Sequence, residues 1–375
     1  MAFIISALLL SNHASAREVV FPPTSGYATD DQIILGGYND PDISHAKFGG
    51  LNTFANLPYV HCLAKEGEEV EKFDIAILGA PFDTGVTARP GARFGPSGIR
   101  RGSQRISPAA GWSIYTGENV LIEWAKIVDC GDAPLTFLDN TAALAQLDKA
   151  HKIVSARRTN ASDKAVPRIV TLGGDHTTTL SALRSTHDHW GAVSVIHFDS
   201  HIDTWDPEVL GGGISHYAGL NHGTFLHIAH EEGLFRNTSI HAGIRAPVIR
   251  PKKDVRNDLR CGFEIIKARD IDRFGIQEII DRLKKRVAGT KVYISVDIDV
   301  LDPTFAPATG TAEVGGWSTR ELLTILDSLE GLEVVGADVV APVYDNAGET
   351  TVLAAAEVAL ALIGLMVNKP VFGVM

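Results

Sequence analysis

Three side chains able to bind divalent cations stand at alternate positions in one stretch, Val193–Asp203, which reads VSVIHFDSHID: Asp199, His201 and Asp203. In extended backbone, side chains at i, i+2 and i+4 share one face, so the three converge where a strand ends. Two carboxylates and an imidazole that close repel and desolvate one another unless a cation sits between them. The apolar, β-branched first half of the stretch marks the buried strand that would carry them. His197 shares their parity. Its mid-strand position favours a buried, hydrogen-bonded histidine, though spacing alone leaves it among the ligand candidates.

Two further strand ends carry the same chemistry. RIVTLGG runs into Gly173-Gly174-Asp175-His176, and KVYISVDIDV ends in Asp297 and Asp299 before Leu301-Asp302-Pro303. The paired glycines let the backbone turn sharply before a helix. Asp175 and Asp302 also suit turns or N-caps. Together His176, Asp199, His201, Asp203, Asp297 and Asp299 offer more than one octahedral ion takes from a protein that must also hold water and substrate. They suit two ions with shared carboxylates. Imidazole and carboxylate without sulfur fit Mn²⁺, with Fe²⁺, Co²⁺, Ni²⁺ and Zn²⁺ also compatible. Two ions about 3.5–4 Å apart lower the pKa of a shared water towards neutrality, so these residues point to a two-metal hydrolase.

The positioning elements follow from periodicity. Eight apolar runs read as strands: Asp74–Gly79, Ile127–Cys130, Arg168–Leu172, Val193–Phe198, Ser239–Ile244, Phe263–Ala268, Lys291–Val296 and Glu333–Val340. Helical patterns lie between several of them, clearest at Phe274–Val287, Ser318–Leu329 and Glu349–Val367. Ser318 and Glu321 have the form of a capping box. Alternating strands and helices predict a parallel sheet covered on both faces, with ligands beyond the carboxyl ends of the strands. A length of 375 residues suggests two or three domains. From Asp74 onward, however, there is no linker, low-complexity segment or repeat, which predicts one large α/β domain. The Gly/Pro-dense loop at 81–100 carries Arg89, Arg93 and Arg100, with Arg101 directly after it. It lacks the spacing of a phosphate loop and reads as a rigid surface loop whose arginines pair with carboxylates.

Composition narrows the partners. The formal net charge is 34 − 45 = −11 with no sustained basic block, which argues against nucleic acid and weakly favours cationic substrates. Residues 1–16, MAFIISALLLSNHASA, combine an apolar core at Phe3–Leu10 with a small-x-small Ala14-Ser15-Ala16, the pattern of an export signal. That core is too short to span a bilayer. No Lys or Arg precedes it, so a cytoplasmic or mitochondrial location is the alternative. Residues 17–72 read as a polar N-terminal extension, an arm for the domain or a neighbouring subunit. The sequons Asn160-Ala161-Ser162 and Asn237-Thr238-Ser239 are compatible with export. Cys62, Cys130 and Cys261, odd in number and widely spaced, read as neither a disulfide framework nor a thiolate metal motif.

GGDH at 173–176, FDSHID at 198–203 and SVDIDVLDP at 295–303 resemble, in order, the three metal motifs of the ureohydrolases, the arginase and agmatinase superfamily. RPGARFGPSGIR at 89–100, DTWDP at 203–207, NHGTF at 221–225 and YDNAGETT at 344–351 resemble its agmatinase branch. The resemblance implies an α/β fold over 73–375: an arginase-type three-layer α/β/α sandwich with a central eight-stranded parallel sheet, assembled as a trimer or hexamer. It implies one manganese on His176, Asp199, Asp203 and Asp297, and a second on His201, Asp199, Asp297 and Asp299. It further implies hydrolysis of a small cationic guanidino compound, agmatine foremost, to urea and an amine (putrescine). Guanidinobutyrate, guanidinopropionate and arginine are the alternative substrates. In that scheme Asp203 relays a proton to the leaving amine. His222 is a proton shuttle or substrate contact near the mouth, a position that a structural histidine would also fill.

One departure stands out. The family's last strand resembles GADVVEVAP, whose Glu receives the guanidinium, whereas Gly336–Pro342 reads GADVVAP, two residues short between Val340 and Ala341. Asp338 and Asp345 match other positions of the pattern, so neither replaces that Glu. The loss keeps the strand's alternation but draws the following loop back by roughly 6.6 Å. It removes a charge-assisted contact worth about 1.5–3 kcal/mol. The expectation is that metals bind while guanidine turnover is weakened or redirected, which makes a metal-binding paralogue the alternative function.

Overall fold

All eight strands form where the apolar runs place them. The computed structural model describes residues 50–375 apart from 66, 163–164, 216, 344–348 and 372–375. The signal-like residues 1–16, the extension to residue 49 and Asp345 therefore lie outside the described residues. The strands are β1 (Ile75–Ala80), β2 (Ile127–Asp132), β3 (Arg168–Gly173), β4 (Ser194–Phe198), β5 (Ser239–Ile244), β6 (Phe263–Lys267), β7 (Lys291–Asp297) and β8 (Glu333–Val340). They form one sheet in the order β2-β1-β3-β8-β7-β4-β5-β6, every pair parallel. The chain moves outward in one direction through β1 and β2 and in the other through β4 to β6. β7 and β8 then close the middle. The carboxyl ends of β3, β8, β7 and β4 are thus four neighbours at the point where the order reverses, the usual ligand position in such sheets.

Helices cover both faces: α1 (Gly95–Gly102), α2 (Asn140–Ser155), α3 (Thr178–Trp190), α4 (Phe225–Glu231), α5 (Pro251–Arg260), α6 (Asp270–Arg286), α7 (Thr319–Ser328) and α8 (Glu349–Asn368). Alternate strand residues feed different layers. Ile75 and Ile77 join the core under α6, α7 and α8, while Ala76 and Leu78 pack with Val154 of α2 on the other face. Ser318 and Glu321 form the expected capping box at α7. α8 is long and apolar enough to cross a bilayer, and its Leu362, Ile363 and Met366 are fully buried in the sheet core.

The cysteines behave differently from the sequence reading. Cys62 and Cys130 form a disulfide, with Cα atoms 5.3 Å apart across 68 residues, and Cys261 is free and buried. Residues 58–60 run beside edge strand β2, with Val60 N–H donating to Asp129 O and Asp129 N–H to Pro58 O. That long-range pairing, which no cysteine spacing reveals, brings the two sulfurs together and covers the sheet edge. The arginine loop pairs with carboxylates as expected. Arg93 reaches Asp83, and buried Arg100 binds Asp129 at 2.8 and 2.9 Å and Asp132 at 2.6 Å.

His151 on α2 is buried beside Ser155 and Trp190, its Nε2 without a hydrogen-bond partner, and burial lowers it to about 4. The unfolded chain takes up this proton near 6.5 and the folded chain does not, so stability is full above about 6.5 and falls as pH drops towards 4. At about 1.4 kcal/mol per pH unit the loss is on the order of 3 kcal/mol across that window. Urea melts at pH 7 and 4.5 should show His151→Leu losing less stability on acidification than the parent. An unchanged slope would contradict it.

Candidate metal centre

The site begins where β3 ends. A Cβ on Gly174 would meet Phe82 O at 1.9 Å, so only glycine lets the chain turn there. Asp175 is a turn residue: it accepts from the Gly85 and Thr177 amides, and burial pushes its carboxyl up to about 6. The turn delivers His176, which stacks on Phe225 with ring centroids 4.6 Å apart.

A relay behind His176 sets its proton. Asp338 of β8 accepts from Thr179, Tyr293 and Ser295 at 2.8, 2.7 and 2.6 Å. With its hydrogen committed to Asp338, the Ser295 hydroxyl accepts from His176 Nε2–H at 2.8 Å. The Nδ1 lone pair is then left facing Asp199 Oδ2, Asp203 Oδ2 and Asp297 Oδ2 at 3.1, 3.2 and 3.3 Å. His176 Nδ1 and Asp199 Oδ2 are both buried without a hydrogen-bond partner. A lone pair facing three carboxylate oxygens is repulsive without a proton or a metal ion between them.

A second group adjoins the first. His201 Nδ1 lies 3.1 Å from Asp299 Oδ2 and 3.3 Å from Asp199 Oδ1, so Asp199 offers one oxygen to each group. Asp297 joins the first group through Oδ2, while its Oδ1 accepts from the Asp299 amide. Burial opposes charge on His176, yet the three carboxylates hold its imidazole well above the ordinary value. Burial, then Asp299 and Asp199, push Asp297 well up; burial, then Asp199, bring Asp203 to about 6. Asp297 therefore holds a proton in the absence of a cation, and a divalent ion would displace it. Against burial, His197, His176 and His201 keep Asp199 well below the usual carboxylate range. The donor set of imidazole and carboxylate, without sulfur, fits Mn²⁺.

All six ligand candidates thus meet. His222, half-buried, has Nε2 2.9 Å from Thr87 Oγ1, and burial, then the neighbouring His201 and His176, lower it to about 4. His197 is buried and hydrogen-bonded as expected, with Nδ1 2.8 Å from His241 Nδ1. Its Nε2 also lies 3.1 Å from Asp199 Oδ2, so it stands at the first group as well. Asp302 is a turn residue, accepting from the amides of Thr304, Gly315 and Gly316. Sequence reasoning missed Ser295, although it shares the parity of Asp297 and Asp299. It also missed Glu313, whose Oε1 stands 3.7 Å from His201 Nε2 at the open edge. Nothing in the spacing marks that loop residue.

β8 stops beside the metal ligands. β8 ends at Val340, level with Asp297, and Ala341 turns away with φ +60, a left-handed backbone that alanine rarely adopts. Its N–H donates to Gly174 O, and Thr309 Oγ1 donates to its carbonyl. Residues 339–343 carry no carboxylate, and Asp338 is fully engaged.

Comparison with known proteins agrees with this geometry. The profile of the arginase family matches residues 73–364. The chain belongs to the arginase family. A Schizosaccharomyces pombe protein named "Putative agmatinase 1" is 51% identical over 99% of this chain and 96% of its own length. Proclavaminate amidinohydrolase of Streptomyces clavuligerus is 35% identical over 82% of this chain and 91% of its own. The solved structure of that enzyme covers 86% of this chain and 99% of its own at a TM-score of 0.73 and 30% identity. A hypothetical agmatinase from Burkholderia thailandensis covers 86% and 92% at a TM-score of 0.71 and 31% identity. The sandwich and its strand order are those of the family, and membership makes the chain an amidinohydrolase by class.

Proposed function

We propose that this chain hydrolyses agmatine to urea and putrescine with two Mn²⁺ ions. The convergence of His176, Asp199, Asp203 and Asp297 in one group, and of His201, Asp199 and Asp299 in the next, carries the reading. Relatives named agmatinase, one 51% identical along almost the whole chain, support the substrate. Bound manganese would supply a water acidified towards neutrality. The chain's own groups handle the rest of the balance: a C–O bond forms at the guanidine carbon, the C–N bond to the alkyl amine breaks, and one proton must reach the leaving nitrogen. Asp203, held at the first group, is placed to carry that proton. His222, lowered to about 4, is a neutral imidazole near pH 7, which suits a substrate contact at the mouth better than a proton shuttle.

The end of β8 favours a second reading, a metal-binding paralogue with reduced turnover. No carboxylate follows Val340 through 343 to receive a guanidinium. Urea release by manganese-loaded protein should be assayed on agmatine, guanidinobutyrate, guanidinopropionate and arginine. Release from agmatine foremost is expected, and inserting Glu-Val between Val340 and Ala341 should raise kcat/KM about tenfold to a hundredfold. Release from another compound instead would reassign the substrate. An insertion without effect would show that the missing pair is irrelevant. The trimer or hexamer belongs to the same proposal, and light scattering that returned a monomer would remove it.

We also propose passage through an oxidising, secretory compartment. The Cys62–Cys130 disulfide supports it, because such bonds persist there and are rare in the cytosol. Asn160 is exposed in a turn, open to a glycan. When the full chain is made in yeast, endoglycosidase should remove mass that Asn160→Gln also abolishes. A cytosolic chain with reduced Cys62 and Cys130 would contradict this.

A further inference from the structure

Asp258 belongs to none of the metal motifs, yet two lines of contact run from it to the metal centre. It lies on α5, fully buried, and forms no ion pair with Lys or Arg among the described residues. Both contacts converge on one oxygen: Oδ1 accepts from Thr204 Oγ1 at 2.7 Å and lies 2.9 Å from His241 Nε2. Oδ2 is buried without a hydrogen-bond partner. Stability alone disfavours such a residue, since burying a carboxylate with one oxygen unserved costs more than an apolar side chain of similar size.

The first line reaches Asp203. Thr204 follows it directly, and Asp203 sits at φ +50, a left-handed conformation for a residue with a Cβ. Such backbone persists only where its surroundings over-determine it. Here the Thr204 hydroxyl is held by Asp258, the Thr204 carbonyl accepts from Asn257 Nδ2 at 2.5 Å, and the Asp203 carbonyl accepts from the Leu226 amide.

The second line reaches His197, at the first metal group. His241 of β5 pairs in register with His197 of β4, their Nδ1 atoms 2.8 Å apart. His241 is fixed face-on against Phe263, ring centroids 3.9 Å apart. With His241 Nε2–H donating to Asp258, its Nδ1 accepts from His197 Nδ1–H, which leaves the His197 Nε2 lone pair 3.1 Å from Asp199 Oδ2, both without a hydrogen-bond partner. A carboxylate that orients a histidine behind a metal ligand tunes that ligand's geometry, typically worth ten- to a hundredfold in metal affinity.

We propose that Asp258 is a positioning residue of the metal centre, fixing Asp203 through Thr204 and, through His241, the His197 imidazole that faces Asp199 at the first group. The inference rests on the two-metal reading above. Its test is Mn²⁺ binding to the full chain, followed by the EPR signal of free Mn²⁺, with circular dichroism and a melt of each metal-free variant alongside. Asp258→Ala should bind Mn²⁺ ten- to a hundredfold more weakly while its metal-free fold persists. Asp258→Asn, whose amide oxygen can accept both bonds, should recover most of that loss. Thr204→Val and His241→Phe each cut one line and should each lose part of the affinity. They decide the matter if Asp258→Ala fails to fold. Parental affinity in Asp258→Ala, or in both single-line variants, would overturn the proposal, as would failure of Asp258→Asn to recover binding. A parent chain that binds no Mn²⁺ would instead overturn the two-metal reading itself.

Discussion

Everything at the centre of this molecule depends on one repulsive contact: the Nδ1 lone pair of His176 aimed at oxygens of Asp199, Asp203 and Asp297. Without a metal ion, protons relieve it: against burial, the three carboxylates hold the His176 imidazole well above its ordinary value, and burial, then Asp299 and Asp199, push Asp297 well up. The Ser295–Asp338 relay takes the imidazole proton to the opposite nitrogen, so the face towards the carboxylates is an acceptor. A divalent cation would displace those protons and take their place between the imidazole and the carboxylates.

The fold builds that contact from distant parts of the chain. His176, Asp199 and Asp297 follow β3, β4 and β7, and β8 lies between β3 and β7. Because β8 lies between β3 and β7, Asp338 bonds Ser295, its register partner on β7, and through it His176. β8 also ends level with Asp297, so its exit at Ala341 falls beside the metal ligands. The same strand therefore supports His176 through Asp338 and Ser295, and ends beside Asp297.

Much of this was legible in the sequence. Buried parallel strands are written as β-branched runs, and all eight were found. The alternate spacing of Asp199, His201 and Asp203 displays a shared face because a strand has a period of two. What was not legible depends on contacts between segments far apart in the chain. Cys62 meets Cys130 only because residues 58–60 line the edge of β2. His241 reaches His197 only through the β4–β5 register, and Glu313 arrives on a loop with no periodicity to read. Ser295 is the exception: its parity with Asp297 was visible, but a serine carries no metal signal of its own.

The most direct test of the central claim is anomalous diffraction at the manganese edge from crystals of the manganese-loaded chain. Two peaks are expected. One would lie within bonding distance of His176 Nδ1, Asp199, Asp203 and Asp297. The other would lie within bonding distance of His201 Nδ1, Asp199 and Asp299. A single peak, or a density map in which these side chains keep their contacts with no metal between them, would contradict it.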